Sequence, residues 1–357
     1  MHVVTLPSSG IDVADYFVVP PQPEADGAEV PAPRVGHTAS VIHDKIFIFG
    51  GRGGKEMTPL PENGRVWVFS TKTSKWSHLD PATDSAYPEP RSYHASASTA
   101  HAIPPYDKTS PSYAGDHESG TLFIHAGCPS SGRLADTWAF DIASRTWSTL
   151  PSAPSPPRGG TALEFAQNRL WRFGGFDGKS ELGGAIEYLD LASASSNQEG
   201  GAGARWQSVG YGTADGEGPG ARSVAGLHLV SAGQGRSFLL SFLGERDPSS
   251  KGHDGAGKFW GDVWAYQLKA EGLTGATIVD AAKTMFGRGT GEGKWSRVEV
   301  SEVSDILQGE GQQTGPGERG WFASATMADF APASVLIWGG LNGRNEREGD
   351  GFVLSVE

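Results

Sequence analysis

The feature that most constrains this chain is a pattern that returns five times. It is first complete between Arg34 and Trp76, where Arg34-Val35-Gly36-His37 leads into an apolar segment, Ile46-Phe47-Ile48-Phe49, closed by Gly50-Gly51. An alternating segment, Val66-Trp67-Val68-Phe69, follows, then a polar turn and Lys75-Trp76. Short apolar or alternating runs bounded by turn residues read as strands, and four in succession read as one antiparallel meander. Such a meander cannot bury both of its faces by itself, so the chain must stack copies of it.

The leading arginine recurs as Arg91, Arg158, Arg222 and Arg319, and the closing glycine, Gly51, as Gly127, Gly175, Gly244 and Gly340. The third-strand aromatic, Trp67, recurs as Trp138, Tyr188, Trp264 and Phe352. The fourth-strand tryptophan, Trp76, recurs as Trp147, Trp206 and Trp295, and no counterpart follows Phe352. Four-stranded units at an irregular period of roughly fifty residues indicate an all-β propeller. The order of arginine, apolar strand, Gly-Gly, aromatic and tryptophan resembles the kelch repeat over nearly the whole chain. Five repeats are expected at about 34–80, 91–150, 158–209, 222–298 and 319–357, within one domain spanning 1–357.

Residues 1–33 fit the repeat least. His2 to Pro7 and Tyr16 to Val19 read as strands, and Pro20 to Pro33 as a Pro-rich linker. Propellers remove an exposed edge by pairing terminal strands in one blade. The expectation is therefore a six-blade plan whose first blade is incomplete, with a five-blade ring as the alternative. Helical periodicity is weak everywhere and strongest around Ile278 to Phe286.

A net charge of −12 argues against nucleic acid or an anionic membrane as the main partner. A single cysteine, Cys128, excludes an internal disulfide framework and fits a reducing compartment. No apolar run approaches the ~20 residues that span a bilayer, and no basic-then-apolar leader opens the sequence. The expected location is the cytoplasm.

In such a propeller the first strands line the central channel, and the loops between second and third strands surround its mouth. Ligands gather on those positions. Arg34, Arg91, Arg158, Arg222 and Arg319 are equivalent by sequence, and several guanidinium forks at one opening would suit a carboxylate, a sulfate or an acidic peptide. The competing expectation is that each arginine bonds backbone carbonyls between blades. His37, His94 and His228 lie in first strands and read as packed histidines. Glu245, Asp247 and His253 form a carboxylate–carboxylate–imidazole group on one predicted loop, a donor set that suits ferrous iron. Asx turns and ion pairs with Arg246 and Lys251 are the structural alternative for that loop.

Arg319-Gly320-Trp321-Phe322-Ala323-Ser324, the Gly-Gly and Asn345-Glu346-Arg347 of the last repeat, and Gly244-Glu245-Arg246-Asp247-Pro248 together resemble the nitrile- and thiocyanate-forming specifier proteins. That resemblance implies a ferrous-iron-assisted breakdown of glucosinolate aglucones. It implies iron held by Glu245 and His253, with Ser249 at the middle position where the family has Asp and with Asp247 as its substitute. It also implies a substrate-facing aromatic at Trp321 and sulfate-gripping arginines in the first strands. Two functions follow from the sequence. One is a specifier-like protein that binds a small anionic or sulfur-containing molecule at the channel mouth, with Fe(II) as its cofactor if it is catalytic. The other is a non-catalytic scaffold for a protein partner.

Overall fold

The computed structural model describes residues 1–5, 15–103, 119–191, 204–212, 214, 216–250, 255, 257–270, 291–300, 315–327, 331 and 333–356. His253 and the segment around Ile278 to Phe286 lie outside them. The described residues are almost entirely strand and turn, and their one helical element is the single 3-10 turn Gly233–Gly235. Contacts divide the chain into two compact units, Met1–Ser92 with Ser98–Ile124 and Trp138–Leu150, and Tyr93–Ala97 with His125–Thr137 and Pro151–Glu357.

Five antiparallel sheets follow the five repeats, giving a five-blade propeller arrangement. The first joins Thr38–Ile42, Lys45–Phe49, Val66–Ser70 and Lys75–Leu79 in that order. The second joins Ala95–Thr99, Thr121–Gly127, Leu134–Asp141 and Thr146–Leu150. The third joins Ala162–Ala166, Arg169–Phe173, Ala185–Asp190 and Trp206–Gly210, and the fourth joins Gly226–Ala232, Arg236–Phe242, Val263–Gln267 and Trp295–Arg297. The fifth has three long strands, Ala323–Thr326, Ser334–Asn342 and Arg347–Ser355, plus the two-residue piece Arg319–Gly320 against the end of the second.

Within the first unit, Ile42, Phe47, Phe49, Val66, Val68, Leu122, Ile124, Phe140 and Trp147 form one buried cluster. The Trp147 indole donates to the Gly64 carbonyl at 2.8 Å and lies against Phe49 and Phe140, ring centroids 5.2 and 4.8 Å away. The fourth-strand tryptophan therefore fills the core beneath a turn and satisfies its polar edge there. In the second unit Trp295 packs among Phe173, Tyr266 and Leu239, but its indole N–H is buried without a hydrogen-bond partner.

The repeating glycine has a backbone reason. Gly51, Gly127, Gly175, Gly244 and Gly340 all hold φ between +97° and +116°, a region that L side chains avoid. At Gly127 a Cβ would also sit 2.7 Å from the His94 Cβ. Four of these glycines pass their N–H to the next repeat's arginine carbonyl: Gly51 to Arg91, Gly127 to Arg158, Gly175 to Arg222 and Gly244 to Arg319, at 2.8 to 2.9 Å. The second-strand end of each repeat is thereby fastened to the first-strand start of the next.

At the N-terminus, His2–Thr5 and Asp15–Val18 pair, among the described residues, with each other alone, as a two-stranded hairpin whose residues include no buried one. The Pro-rich stretch is more than a spacer. Pro23 bridges in parallel to Trp76, the Trp76 N–H donates to Gln22 at 2.8 Å, and the Glu24 N–H donates to Trp76 at 2.7 Å. Residues 22–24 thus cover the outer edge of the first sheet.

Candidate functional site

Four of the sequence-equivalent arginines make the same contacts. The Nη1 of Arg34, Arg158, Arg222 and Arg319 donates to Gly50, Gly174, Leu243 and Gly339 carbonyls, at 2.9 to 3.1 Å. Each of these guanidinium groups also meets a carboxylate: Arg34 with Glu62 at 2.7 Å, Arg158 with Glu187 at 3.4 Å, Arg222 with Asp262 at 2.8 Å and Arg319 with Asp350 at 2.5 Å. Arg172 shares Glu187 at 2.5 Å. Burial and the neighbouring Arg172 charge push the Arg158 guanidinium down to about 10, although Glu187 opposes them. Burial acts to raise the Asp262 carboxyl, but the hydrogen bonds and charge of Arg222, aided by Trp264, hold it below the usual carboxylate range. Arg91 is wholly buried, with its Nε donating to the Glu89 carbonyl at 3.1 Å. These forks bond peptide groups and acids of their own repeat. The partners Glu62, Glu187, Asp262 and Asp350 were missed by sequence reasoning. Their one signal is an acid shortly before or within the third strand.

Of the histidines of the first strands, His94 and His228 are packed, whereas His37 is exposed. His228 lies between Ser324 Oγ at 2.8 Å and Glu164 at 3.3 Å, and His94 is buried. Desolvation, then the charge of Arg34, lowers the His37 pKa.

Two residues after each repeat arginine the backbone turns left-handed: Gly36 at φ 65°, Tyr93 at 53°, Gly160 at 62°, Val224 at 46° and Trp321 at 60°. Glycine takes this conformation freely, whereas a β-branched valine or a tryptophan stores strain in it. Inside the second unit these residues are joined in series, Gly160 N–H to Tyr93 at 2.8 Å, Val224 N–H to Gly160 at 2.7 Å and Trp321 N–H to Val224 at 3.3 Å. The series carries the Tyr93 and Trp321 rings edge to face, 5.2 Å apart.

One acid, Glu245, meets Trp321, and a second, Glu181, lies within its electrostatic reach. Glu245 is 8 % exposed, its backbone exchanges two hydrogen bonds with Ser223, and its carboxylate accepts from the Trp321 side chain. Burial raises its pKa despite that bond. Both carboxylate oxygens of Glu181 are buried without a partner in hydrogen-bonding geometry. Burial pushes this carboxyl up to about 8, with Glu245, Asp177 and Asp247 adding repulsion and the nearby Ser223 hydroxyl working the other way. Trp321 is half-buried, its side chain donating to Glu245 and its ring meeting Tyr93. Glu181 was missed, because nothing in Ser180-Glu181-Leu182 marks it as buried.

Of the residues named for iron, Glu245 and Asp247 are described and His253 lies outside the described residues. Glu245 is buried against Trp321, while the side chain of Asp247 is 57 % exposed and pairs with Lys258 at 3.3 Å. A register shift in the strand pairing lies between the two. No group of three or more His, Cys, Asp or Glu among the described residues is disposed to hold a metal ion. The first unit has a separate cavity of about 200 Å³, walled by Ile42, Phe47, Val68, Leu79, Ser119 and Ile142 among others.

A Kelch motif matches residues 33–82. Among curated proteins the chain is 28% identical over 242 residues to a dynein alpha chain of the flagellar outer arm of Chlamydomonas reinhardtii, a match covering 65% of this chain and 5% of that protein. It is 30% identical over 169 residues to acyl-CoA-binding domain-containing protein 6 of Oryza sativa, covering 45% of this chain and 23% of the relative. It is 28% identical over 163 residues to host cell factor of Drosophila melanogaster, covering 42% and 10%. The chain therefore spans less than a quarter of each of these relatives. The solved structure of YjhT aligns over 97% of this chain and 86% of its own with a TM-score of 0.59 and 14% identity, a likeness of fold alone.

Proposed function

We propose that this five-blade propeller is a recognition module that docks a protein partner through a cationic side chain of that partner. The observation that carries the reading is Glu181, whose buried carboxylate oxygens lie near the Ser223 hydroxyl and within the field of Glu245, the acid that accepts from the Trp321 side chain. Buried acids next to aromatic rings suit an arginine or lysine head, which gains both charge pairing and the attraction of a cation for a π face. The repeat arginines that would have captured an anion are committed to acids and peptide carbonyls, and a formal net charge of −12 also favours a basic partner. The relatives support the reading in a second way. Stretches like this one occur inside a dynein chain, an acyl-CoA-binding-domain protein and host cell factor, proteins of unlike names. A scaffold shared so widely fixes no single chemistry, and its specificity resides in the residues it displays.

The test uses isothermal titration of the whole chain with short arginine- and lysine-containing peptides and their glutamine counterparts. The basic peptides bind, Glu181→Gln and Trp321→Ala each weaken them at least tenfold, and binding near pH 7.5 releases protons as the cation ionises Glu181. Equal affinity for the glutamine peptides would reject a cation site, and unchanged affinity in both variants would place it elsewhere.

A further inference from the structure

Three first-strand residues of the second unit meet through two hydrogen bonds. Glu164 lies on Ala162–Ala166, His228 on Gly226–Ala232 and Ser324 on Ala323–Thr326, strands of three successive repeats that pack against one another in that order. The His228 Nε2 stands 2.8 Å from the Ser324 Oγ, and its Nδ1 stands 3.3 Å from one carboxylate oxygen of Glu164. The other oxygen of that carboxylate accepts the Phe165 N–H at 3.1 Å, which holds the acid in place. The imidazole lies against Phe242, ring centroids 6.0 Å apart, and Phe242 in turn stacks on Phe322 at 5.6 Å.

The partners assign the protons. An ionised carboxylate only accepts, so the Nδ1 facing Glu164 carries the proton of the neutral ring and Nε2 keeps a lone pair. The Ser324 hydroxyl therefore donates to Nε2. A hydroxyl that donates to a base which an acid orients is the arrangement that activates a serine as a nucleophile. It is recognised by geometry and roles, not by position in the chain, and here its members come from three repeats. The group is also within reach of solvent. The His228 and Glu164 side chains are 18% and 21% exposed, Ser324 is half-buried, and its strand neighbours Ala323 and Ala325 are exposed. A clamp between strands would require the hydrogen bonds but not the access.

We propose that Ser324, His228 and Glu164 form an acyl-transfer site that hydrolyses an ester with a good leaving group. The Ser324 Oγ attacks the carbonyl carbon while its proton passes to His228 Nε2, and the carbonyl π pair moves onto oxygen. When that pair returns, the alcohol leaves with the proton from Nε2 and the acyl group stays on Ser324. Water then attacks the acyl carbon, His228 takes a proton from the water and returns it to Oγ, and a carboxylic acid departs. Glu164 does not touch the substrate. It is a positioning residue that orients the ring and favours the imidazolium formed at each proton transfer. Activation of a hydroxyl by a base is what this geometry supplies, so the substrate class is an activated ester and not an amide. The site is separate from Glu181 and does not rest on the cation reading.

The probe is p-nitrophenyl acetate added to the whole chain, with release of p-nitrophenolate followed by absorbance. The parent gives a burst stoichiometric with protein and then steady turnover. Ser324→Ala and His228→Ala each slow the burst at least tenfold, and added imidazole speeds His228→Ala but not Ser324→Ala. Glu164→Gln slows it at least tenfold and Glu164→Asp recovers most of the loss, whereas a merely structural acid would move the melting temperature and leave the rate. Should a variant misfold, the unaltered chain still decides. Treated with a fluorophosphonate and digested, it carries the adduct on Ser324 when labelled folded and not when labelled in urea. The arginine-peptide titration on Ser324→Ala stays as in the parent, so the two readings fail separately. No burst, a burst unchanged in Ser324→Ala, or no adduct on Ser324 overturns the proposal and leaves the three residues as a clamp between strands.

Discussion

Replacing Arg222 by alanine separates a structural arginine from a ligand-gripping one. The Arg222 side chain has no exposed surface, and its Nη1 and Nη2 reach the Asp262 carboxylate at 2.8 and 3.2 Å. Its Nη1 also donates to Leu243 at 2.9 Å and its Nε to Gly220 at 3.0 Å. Truncation leaves the Leu243 and Gly220 carbonyls unpaired and leaves Asp262, 11% exposed at its side chain, with the Trp264 indole as its remaining side-chain donor. Breaking one side of a buried pair costs about 3–5 kcal/mol, because the remaining charge stays desolvated. Replacing both partners by apolar residues, Arg222→Met with Asp262→Leu, removes that uncompensated charge and should recover at least about 2 kcal/mol relative to the sum of the single changes. Equilibrium urea unfolding followed by tryptophan fluorescence measures all four corners of the cycle. A loss below about 1 kcal/mol for Arg222→Ala, additive with Asp262→Leu and accompanied by loss of sulfate binding, would refute the structural role.

Glu181→Gln should alter the pH profile of stability. Because the folded-state pKa is raised to about 8, the native protein keeps a proton that the unfolded chain has released, so stability falls as pH rises from about 5 to 8. At 1.36 kcal/mol per unit, halved for partial exposure, the glutamine variant should be about 2 kcal/mol more stable than the parent at pH 8.5 and equal to it at pH 5. Parallel pH–stability curves would contradict this. Trp147→Ala should cost about 3–5 kcal/mol, since it empties a buried site against Phe49 and Phe140 and orphans the Gly64 carbonyl. A melting temperature within 2–3 °C of the parent would show that the core closes over the space, since about 1 kcal/mol already shifts a chain of this size by about 2–4 °C. Anaerobic titration with ferrous iron should reveal no stoichiometric site that Asp247→Ala removes, because Asp247 faces Lys258 while Glu245 is buried. A single site lost in both Glu245→Ala and Asp247→Ala would reverse that conclusion.

The sequence by itself determined the repeat, its register and the strands. Those depend on local periodicity and on backbone conformations that only glycine takes cheaply, as the five second-strand glycines near φ +100° show. The destination of the arginines was settled only by the tertiary structure. A guanidinium reads the same in the sequence whether it faces a ligand or Asp262, whose position 40 residues on becomes adjacent only when the strands assemble. The same holds for Glu181. Its raised pKa comes from desolvation, which depends on the residues folded around it and leaves no mark on the order in which they are joined.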